Sequence, residues 1–476
     1  MTKSRPGTPA NPLRVAIIGS GPSGFYAADF LQKQTDLTIQ IDMYERLPTP
    51  YGLVRGGVAP DHQKIKSVTN VYEKIAVDEN FRFYGNVEVG RDVMRADLLR
   101  HYHAIIYAIG TRTDRRMGIP GEDLPGSHAA TEFVGWYNAH PDFRDCEFDL
   151  SQERVAVIGN GNVAMDVARI LASTYEELAT TDIADYALEA LAKSRVREIY
   201  VLGRRGPAQA AFTNPEIREL GELREAEVIV RPEDVELDPL SAEALATSSD
   251  RTAERNVQVL MRYSTQGDLG KPRKIYMRFF VSPVEILGDE RVEAIRVVKN
   301  KLVRAEDGSL RAVPTDEYET IPVGLVFRSI GYMGVALPDV PFDERRGIIP
   351  NIDGRVFDPQ RMDTLVGEYV VGWIKRGPSG IIGTNKPDAQ ATVMRLLDDV
   401  RSGRLIDPEA PDRESVEQLL RERQPDLVTF DDWQLLDMAE RERGQPLGRP
   451  RVKYSQVHEM LAVLTERKGH LNPSGD

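Results

Sequence analysis

Two segments that each run from an apolar strand through a glycine turn into a helix predict an α/β protein of two Rossmann-like dinucleotide-binding units. The first, residues 15–24, reads VAIIGSGPSG and sets Gly19, Gly21 and Gly24 between a buried-strand pattern and the helix-forming run FYAADFLQK. The second, RVAVIGNGNVAMDVARILAS from Arg154, repeats the design with Gly159, Gly161 and, in the third place, Ala164. A third observation separates the two. The strand after the first turn, IQIDMYE, closes on Glu45, whereas the strand at 198–202 runs into GRRGP with Arg204 and Arg205.

Each element has a physical reason. Turn glycines permit positive φ and close backbone approach to a pyrophosphate, whose charge meets the free N–H groups and dipole of the following helix. A carboxylate at Glu45 suits free ribose hydroxyls, which fits FAD, while two guanidinium groups suit a 2′-phosphate and point to NADP rather than NAD. Residues 47–68 hold two prolines and three glycines before Pro60 and predict an irregular loop. Residues 86–90, NVEVG, read as a short strand, and 103–110, HAIIYAIG, as a buried strand ending in glycine. Residues 239–255, rich in Ser, Ala and charge, read as a surface excursion. Strands follow at 278–286 and 292–298. Residues 324–331, GLVFRSIG, match HAIIYAIG in pattern and are expected to return the chain to the first unit. Residues 368–382 give a strand and a glycine-rich turn before a helix at 386–401, whose N-terminus would face a second phosphate or the flavin ring. A tail from about Leu405 carries two modest helices.

Composition bounds the function. The 476 residues, 41% hydrophobic and 28% charged, suit two or three folded domains. No long apolar run occurs, and the opening MTKSRPGTPANP lacks the core of a signal peptide, so a short disordered lead-in and a cytoplasmic protein are expected. The one cysteine, Cys146, permits neither an internal disulfide nor a CxxC pair, and no metal site is expected; electrons would travel through an organic cofactor. A net charge of −13 speaks against nucleic acid.

The strings GSGPSGFYAA, LPTPYGLVRGGVAPDH, EFVGWYNAHP, GNGNVAMDVARIL, GRRGPAQAAFT and GWIKRGPSGIIGTN resemble those of the adrenodoxin reductase family, and within it the bacterial ferredoxin NADP reductases. The resemblance covers nearly the whole chain apart from the first dozen residues and 239–255. Trp373 stands where many flavoenzymes with two dinucleotide sites carry aspartate.

The resemblance implies a glutathione reductase-like arrangement, an FAD domain interrupted by an NADP domain: lead-in 1–12, FAD-binding parts 13–115 and 330–476, the latter with the tail, and NADP-binding 116–329. It implies FAD contacts from Ser23, Glu45, Leu53, Val89, Trp373, Gly380, Ile381 and Ile382, beside Gly19, Gly21 and Gly24. NADP contacts would come from Asn160, Gly161, Asn162, Val163, Arg204, Arg205, Glu216 and Gly380. His62 and Glu219 match positions near the nicotinamide, where they would orient the ring. Arg218, Arg251 and Arg255 would meet an acidic ferredoxin-type iron–sulfur partner. The implied activity is hydride transfer from NADPH to FAD and single-electron delivery to that partner. Two other readings stand: a flavin subunit feeding another enzyme, and a redox-inert flavin- or NADP-binding protein.

Overall fold

A computed structural model describes residues 5–249 and 251–471, the last two without their side chains. The chain divides into two compact units. One holds the residues up to Val58, His62–Thr113 and those from Tyr332 on; the other holds Ala59–Asp61 and Asp114–Gly331.

The first unit is built on a seven-stranded sheet in the order Asn351–Ile352, Arg355–Asp358, Asp363–Val370, Ala104–Tyr107, Leu13–Ile18, Ile39–Tyr44, Phe81–Tyr84. The last five run parallel, and the first two add antiparallel. Leu13–Ile18 is buried along its whole length. Its side chains alternate between two cores, Val15 and Ile17 in one, Ala16 and Ile18 in the other, as expected of a central parallel strand covered on both faces. Helix Pro22–Gln32 packs on Asn385–Ser402.

The second unit repeats the plan with six parallel strands, in the order Ser127–Ala129, Leu325–Arg328, Arg154–Ile158, Glu198–Leu202, Arg273–Arg278, Ala226–Val230. Val155 and Val157 enter one core, Ala156 and Ile158 the other. An antiparallel sheet of Val281–Leu287, Ala294–Arg304 and Leu310–Pro322 is appended.

In both units the central strand has one neighbour formed early in the sequence and one formed late. The order reverses at its C-terminal end, the switch point where open α/β sheets bind ligands.

Several expectations are corrected. The strand within 324–331 does not return to the first unit: Leu325–Arg328 pairs with Arg154–Ile158 inside the second. Residues 86–90 form no strand, because Asn86 and Gly90 take φ of +58° and +98°, which interrupts extended backbone; Val89 makes one isolated bridge to Val93. The strand lies earlier, at Phe81–Tyr84. The loop at 47–68 contains the short helices Leu53–Gly56 and Gln63–Lys66. The excursion at 239–255 holds helix Pro239–Thr247, capped by Asp238 accepting from the N–H groups of Leu240 and Ser241, and the start of Thr252–Thr265. Among the described residues the tail has three α-helices, Arg413–Arg423, Phe430–Gly444 and Val457–Leu471, rather than two. Of the lead-in, residues 1–4 lie outside the described residues. The rest is anchored, with Gly7 accepting from Thr38 N–H and the Arg5 guanidinium donating to the Val400 carbonyl.

Candidate functional site

Both glycine turns sit at the switch point of their own sheet. Gly19 has φ +107° and Gly159 φ +127°. Each donates its N–H to the end of the next strand, Tyr44 at 2.8 Å and Leu202 at 2.9 Å. A Cβ on Gly19 would press on the Ala108 carbonyl and one on Gly159 on the Ser329 carbonyl, both at distances no real Cβ tolerates. The turn therefore lies flat against the chain leaving the other neighbouring strand. The middle glycine is different in kind. Nothing lies within 4 Å of a Cβ built on Gly21 or Gly161, so each faces open space. These two residues cap helices of eleven residues without a side-chain hydrogen bond, which leaves the first N–H groups available to an anion. In the third place a Cβ on Gly24 would run into the Gly19 carbonyl, whereas Ala164 fits its Cβ into the core of the second unit. Both turns thus fit a pyrophosphate.

In the first unit, Glu45 follows strand Ile39–Tyr44 and turns its carboxylate back to the glycine turn. One oxygen accepts from the Ser20 hydroxyl at 2.7 Å and the Ser20 N–H at 3.3 Å, the other from Leu47 N–H at 3.2 Å. Ser20, missed in the sequence, is the middle residue of the G-S-G string and orients this carboxylate. Gly52 approaches the same turn, since a Cβ there would lie 3.0 Å from Gly21 Cα, and half-exposed Leu53 follows it. On the other side Gly372, φ +76°, leaves no room for a Cβ against the Ser23 side chain. Asp388, also missed, accepts from Gly372 N–H at 2.6 Å and pairs with Lys375 at 2.9 Å. Trp373 opens the short helix Trp373–Arg376. Its ring lies 5.4 Å from Tyr332, and its indole N–H donates to Ser379. Gly380 and Ile381 are exposed, and Ile382 is half-buried, just before helix Asn385–Ser402. Val89 differs from these residues: its side chain is buried in the core, leaving its backbone for any ligand contact. Its segment runs beside Glu45, whose carbonyl accepts from Val87 N–H. His62 precedes helix Gln63–Lys66 in this unit and is half-buried.

In the second unit, residues 203–213 fold back over the glycine turn. Ala211 N–H donates to the Asn160 carbonyl at 3.0 Å, and Thr213 N–H to the Asn162 side chain at 2.8 Å. Val163 is half-buried in the first turn of the helix. Arg204 is exposed and Arg205 half-buried; their carbonyls accept from the Asn300 side chain and from Phe280 N–H. Among the described residues neither guanidinium has a hydrogen-bond or ion-pair partner. Burial, and then the like charge of Arg204, lowers the Arg205 pKa below its usual value. Two adjacent cations at a strand end, without a carboxylate partner among the described residues, have the chemistry to receive an anion.

Glu216 belongs to a different cluster. Arg169, 3% exposed, donates to Asp61 at 2.7 and 3.0 Å, to Asp166 at 2.7 Å and to Glu216 at 3.2 Å, with Glu219 at 3.7 Å. The structure therefore brings Glu216 and Glu219 together around Arg169. Arg218 and Arg255 are exposed on Asn214–Leu220 and Thr252–Thr265, helices joined by the Asn214 and Asn256 side chains; Arg251 is tied to Glu254 at 2.6 Å. Among the described residues no helix is long and apolar enough to cross a membrane.

Residues 13–265 match the family model described as pyridine nucleotide-disulphide oxidoreductase. The chain is 48% identical over 460 residues to the NADPH-ferredoxin reductase FprA of Mycobacterium tuberculosis, covering 95% of this chain and 99% of that protein. It is 41% identical to the mitochondrial NADPH:adrenodoxin oxidoreductase of Salvelinus fontinalis, covering 96% and 92%. The solved structure of Mycobacterium tuberculosis FprA in complex with NADPH superposes with a TM-score of 0.89 at 47% identity, over 96% of this chain and 100% of that one.

Proposed function

The chain belongs to the pyridine nucleotide-disulphide oxidoreductase family, among its ferredoxin and adrenodoxin reductases, and on that premise we propose that it is an FAD-dependent NADPH–ferredoxin reductase. One observation carries the reading: two glycine turns at two sheet switch points, one closed by the Ser20–Glu45 pair, the other by the unpartnered Arg204 and Arg205. FAD, when bound, supplies the step that no side chain here can supply, taking a hydride and giving up electrons singly. The one cysteine supports this, because an internal dithiol is impossible.

The first unit holds FAD in this reading. Gly19, Gly21 and Gly24 with the helix N-terminus receive the pyrophosphate, and the Glu45 carboxylate receives the ribose hydroxyls. Ser23, Leu53, Val89, Trp373, Gly380, Ile381 and Ile382 line the remainder. The second unit holds NADP through Asn160, Gly161, Asn162 and Val163 at the pyrophosphate and Arg204 and Arg205 at the 2′-phosphate, with Glu216 and Gly380 completing the contacts. His62 and Glu219 orient the nicotinamide on the strength of the resemblance. Orientation is the task there, since hydride transfer asks for alignment and distance.

The acceptor is a ferredoxin-type iron–sulfur protein in the cytoplasm. It is met by exposed Arg218 and Arg255, and by Arg251 once Glu254 yields it. NADPH-driven reduction of cytochrome c, with and without added ferredoxin, tests the proposal. Reduction that depends on ferredoxin is expected. Flavin reduction without onward transfer favours a subunit serving another enzyme, and no turnover at all refutes the proposal.

A further inference from the structure

The tail has no chemical motif, yet it holds a strained turn that touches the first glycine loop. Tyr51 adopts φ +83° and Gly52 φ +50°. A tyrosine is seldom found at positive φ, so its conformation must be enforced by its surroundings. Tyr51 N–H donates to the Ser20 carbonyl at 3.0 Å. Its ring lies against Phe25 and Tyr72 and meets Trp433 edge-on at 5.7 Å, with the indole N–H 3.4 Å from the Tyr51 hydroxyl. Trp433 belongs to helix Phe430–Gly444 of the tail.

One turn further along the loop, the Arg55 guanidinium grips both oxygens of Glu440, at 2.8 and 2.5 Å, and lies over the Trp433 ring at 5.1 Å. Glu440 is fully buried. It also accepts from Tyr454 N–H at 3.0 Å and lies 3.4 Å from the Arg451 guanidinium. Lys453 closes the arrangement by donating to the Arg55 carbonyl at 3.2 Å. Residues 430–454 therefore grip Tyr51 and Arg55, the two residues that bracket Gly52, Leu53 and Val54. A forked arginine–carboxylate pair fixes orientation as well as proximity, whereas an apolar contact of equal volume supplies cohesion alone.

We propose that this tail segment is a strut that sets the flavin-facing turn 52–55, with Glu440 as its positioning residue. The proposal rests on the reading that the first unit holds FAD. Glu440 touches no ligand; it acts through Arg55 on Leu53 and on the backbone beside Gly21.

The test uses the full chain, stripped of flavin and titrated with FAD, with flavin fluorescence and visible-region circular dichroism as readouts. E440Q is compared with R55K, which keeps the charge but not the fork, and with D399N. The last breaks a comparably buried fork, Asp399 with Arg355, in the same unit. Asp399 lies fourteen residues along its helix from Asn385, about 21 Å away at 1.5 Å per residue. E440Q is expected to weaken FAD binding at least tenfold and to change the dichroism of the bound flavin, and R55K to do so by a smaller factor. D399N is expected to lower thermal stability while FAD affinity stays within twofold of the parent. Should E440Q not yield folded protein, R55K carries the test. Unchanged FAD affinity and dichroism in E440Q or R55K, or an equal loss in D399N, overturns the strut. Failure of the parent protein itself to take up FAD overturns the FAD reading instead.

Discussion

Replacing Arg204 and Arg205 together by alanine removes the two guanidinium groups to which the proposed reading assigns the 2′-phosphate. Hydrogen bonds to charged groups contribute about 1.5–3 kcal/mol each, so two guanidiniums on one phosphate contribute about 3–6 kcal/mol. Arg204 is exposed and Arg205 half-buried, so solvent screening places the effect at the lower end, about 3 kcal/mol. At about 1.4 kcal/mol per factor of ten, kcat/KM for NADPH should fall about 100-fold. NADH carries no such phosphate and should change by less than about twofold. Burial, and then repulsion from Arg204, holds the Arg205 pKa down, so the nucleotide-free variant should melt no lower than the parent. Steady-state rates with each nucleotide and an artificial acceptor give the ratio. An equal loss for NADPH and NADH, or no loss for either, refutes the assignment.

Other consequences follow from single contacts. In G21A the new methyl meets nothing within 4 Å in the protein but stands in the proposed pyrophosphate path, so FAD binding should fail while flavin-free stability is kept. G24A places its methyl on the Gly19 carbonyl and should lower both; thermal melts with and without FAD separate the two. Arg169→Met leaves Asp61, Asp166 and Glu216 without their shared cation and should destabilise the second unit by about 3–5 kcal/mol, read by denaturant unfolding. Burial would raise the Asp399 carboxyl, but hydrogen bonds from Arg355 and Tyr369 outweigh it and hold its pKa below 3.8. A folded pKa below the unfolded one gives stability that is present above the unfolded value, about 3.9, and lost as pH falls through the folded value. The melting difference between the parent and D399N should therefore shrink as pH falls below the unfolded value of about 3.9; a constant difference contradicts it.

The two cradles were legible because their constraint is local. Gly19 and Gly159 take positive φ against a neighbouring carbonyl, and glycine alone fits. The places of Glu45, Arg204 and Arg205 at strand ends were legible for the same reason, since they follow their strands by one, two and three residues. Sheet membership was not. HAIIYAIG and GLVFRSIG are alike because both are strands that line a switch point and then end in a positive-φ glycine, Gly110 and Gly331, each in its own sheet. Local pattern cannot say which sheet. Residues 239–255 looked like a solvated excursion from their Ser, Ala and charges, yet Ala and Leu behind an Asp238 cap also make a helix. The charged clusters were invisible for want of proximity in sequence. Asp61 and Arg169 are 108 positions apart, and Arg55 and Glu440 are 385.

The most direct measurement is anaerobic rapid mixing of the flavin-loaded protein with NADPH, followed by a reduced-to-oxidised chase with ferredoxin. Prompt bleaching of the flavin absorbance, and its return as ferredoxin is reduced, is the expected result. A flavin that stays oxidised in the presence of saturating NADPH would contradict the central claim that this chain moves electrons from a phosphorylated nicotinamide through FAD.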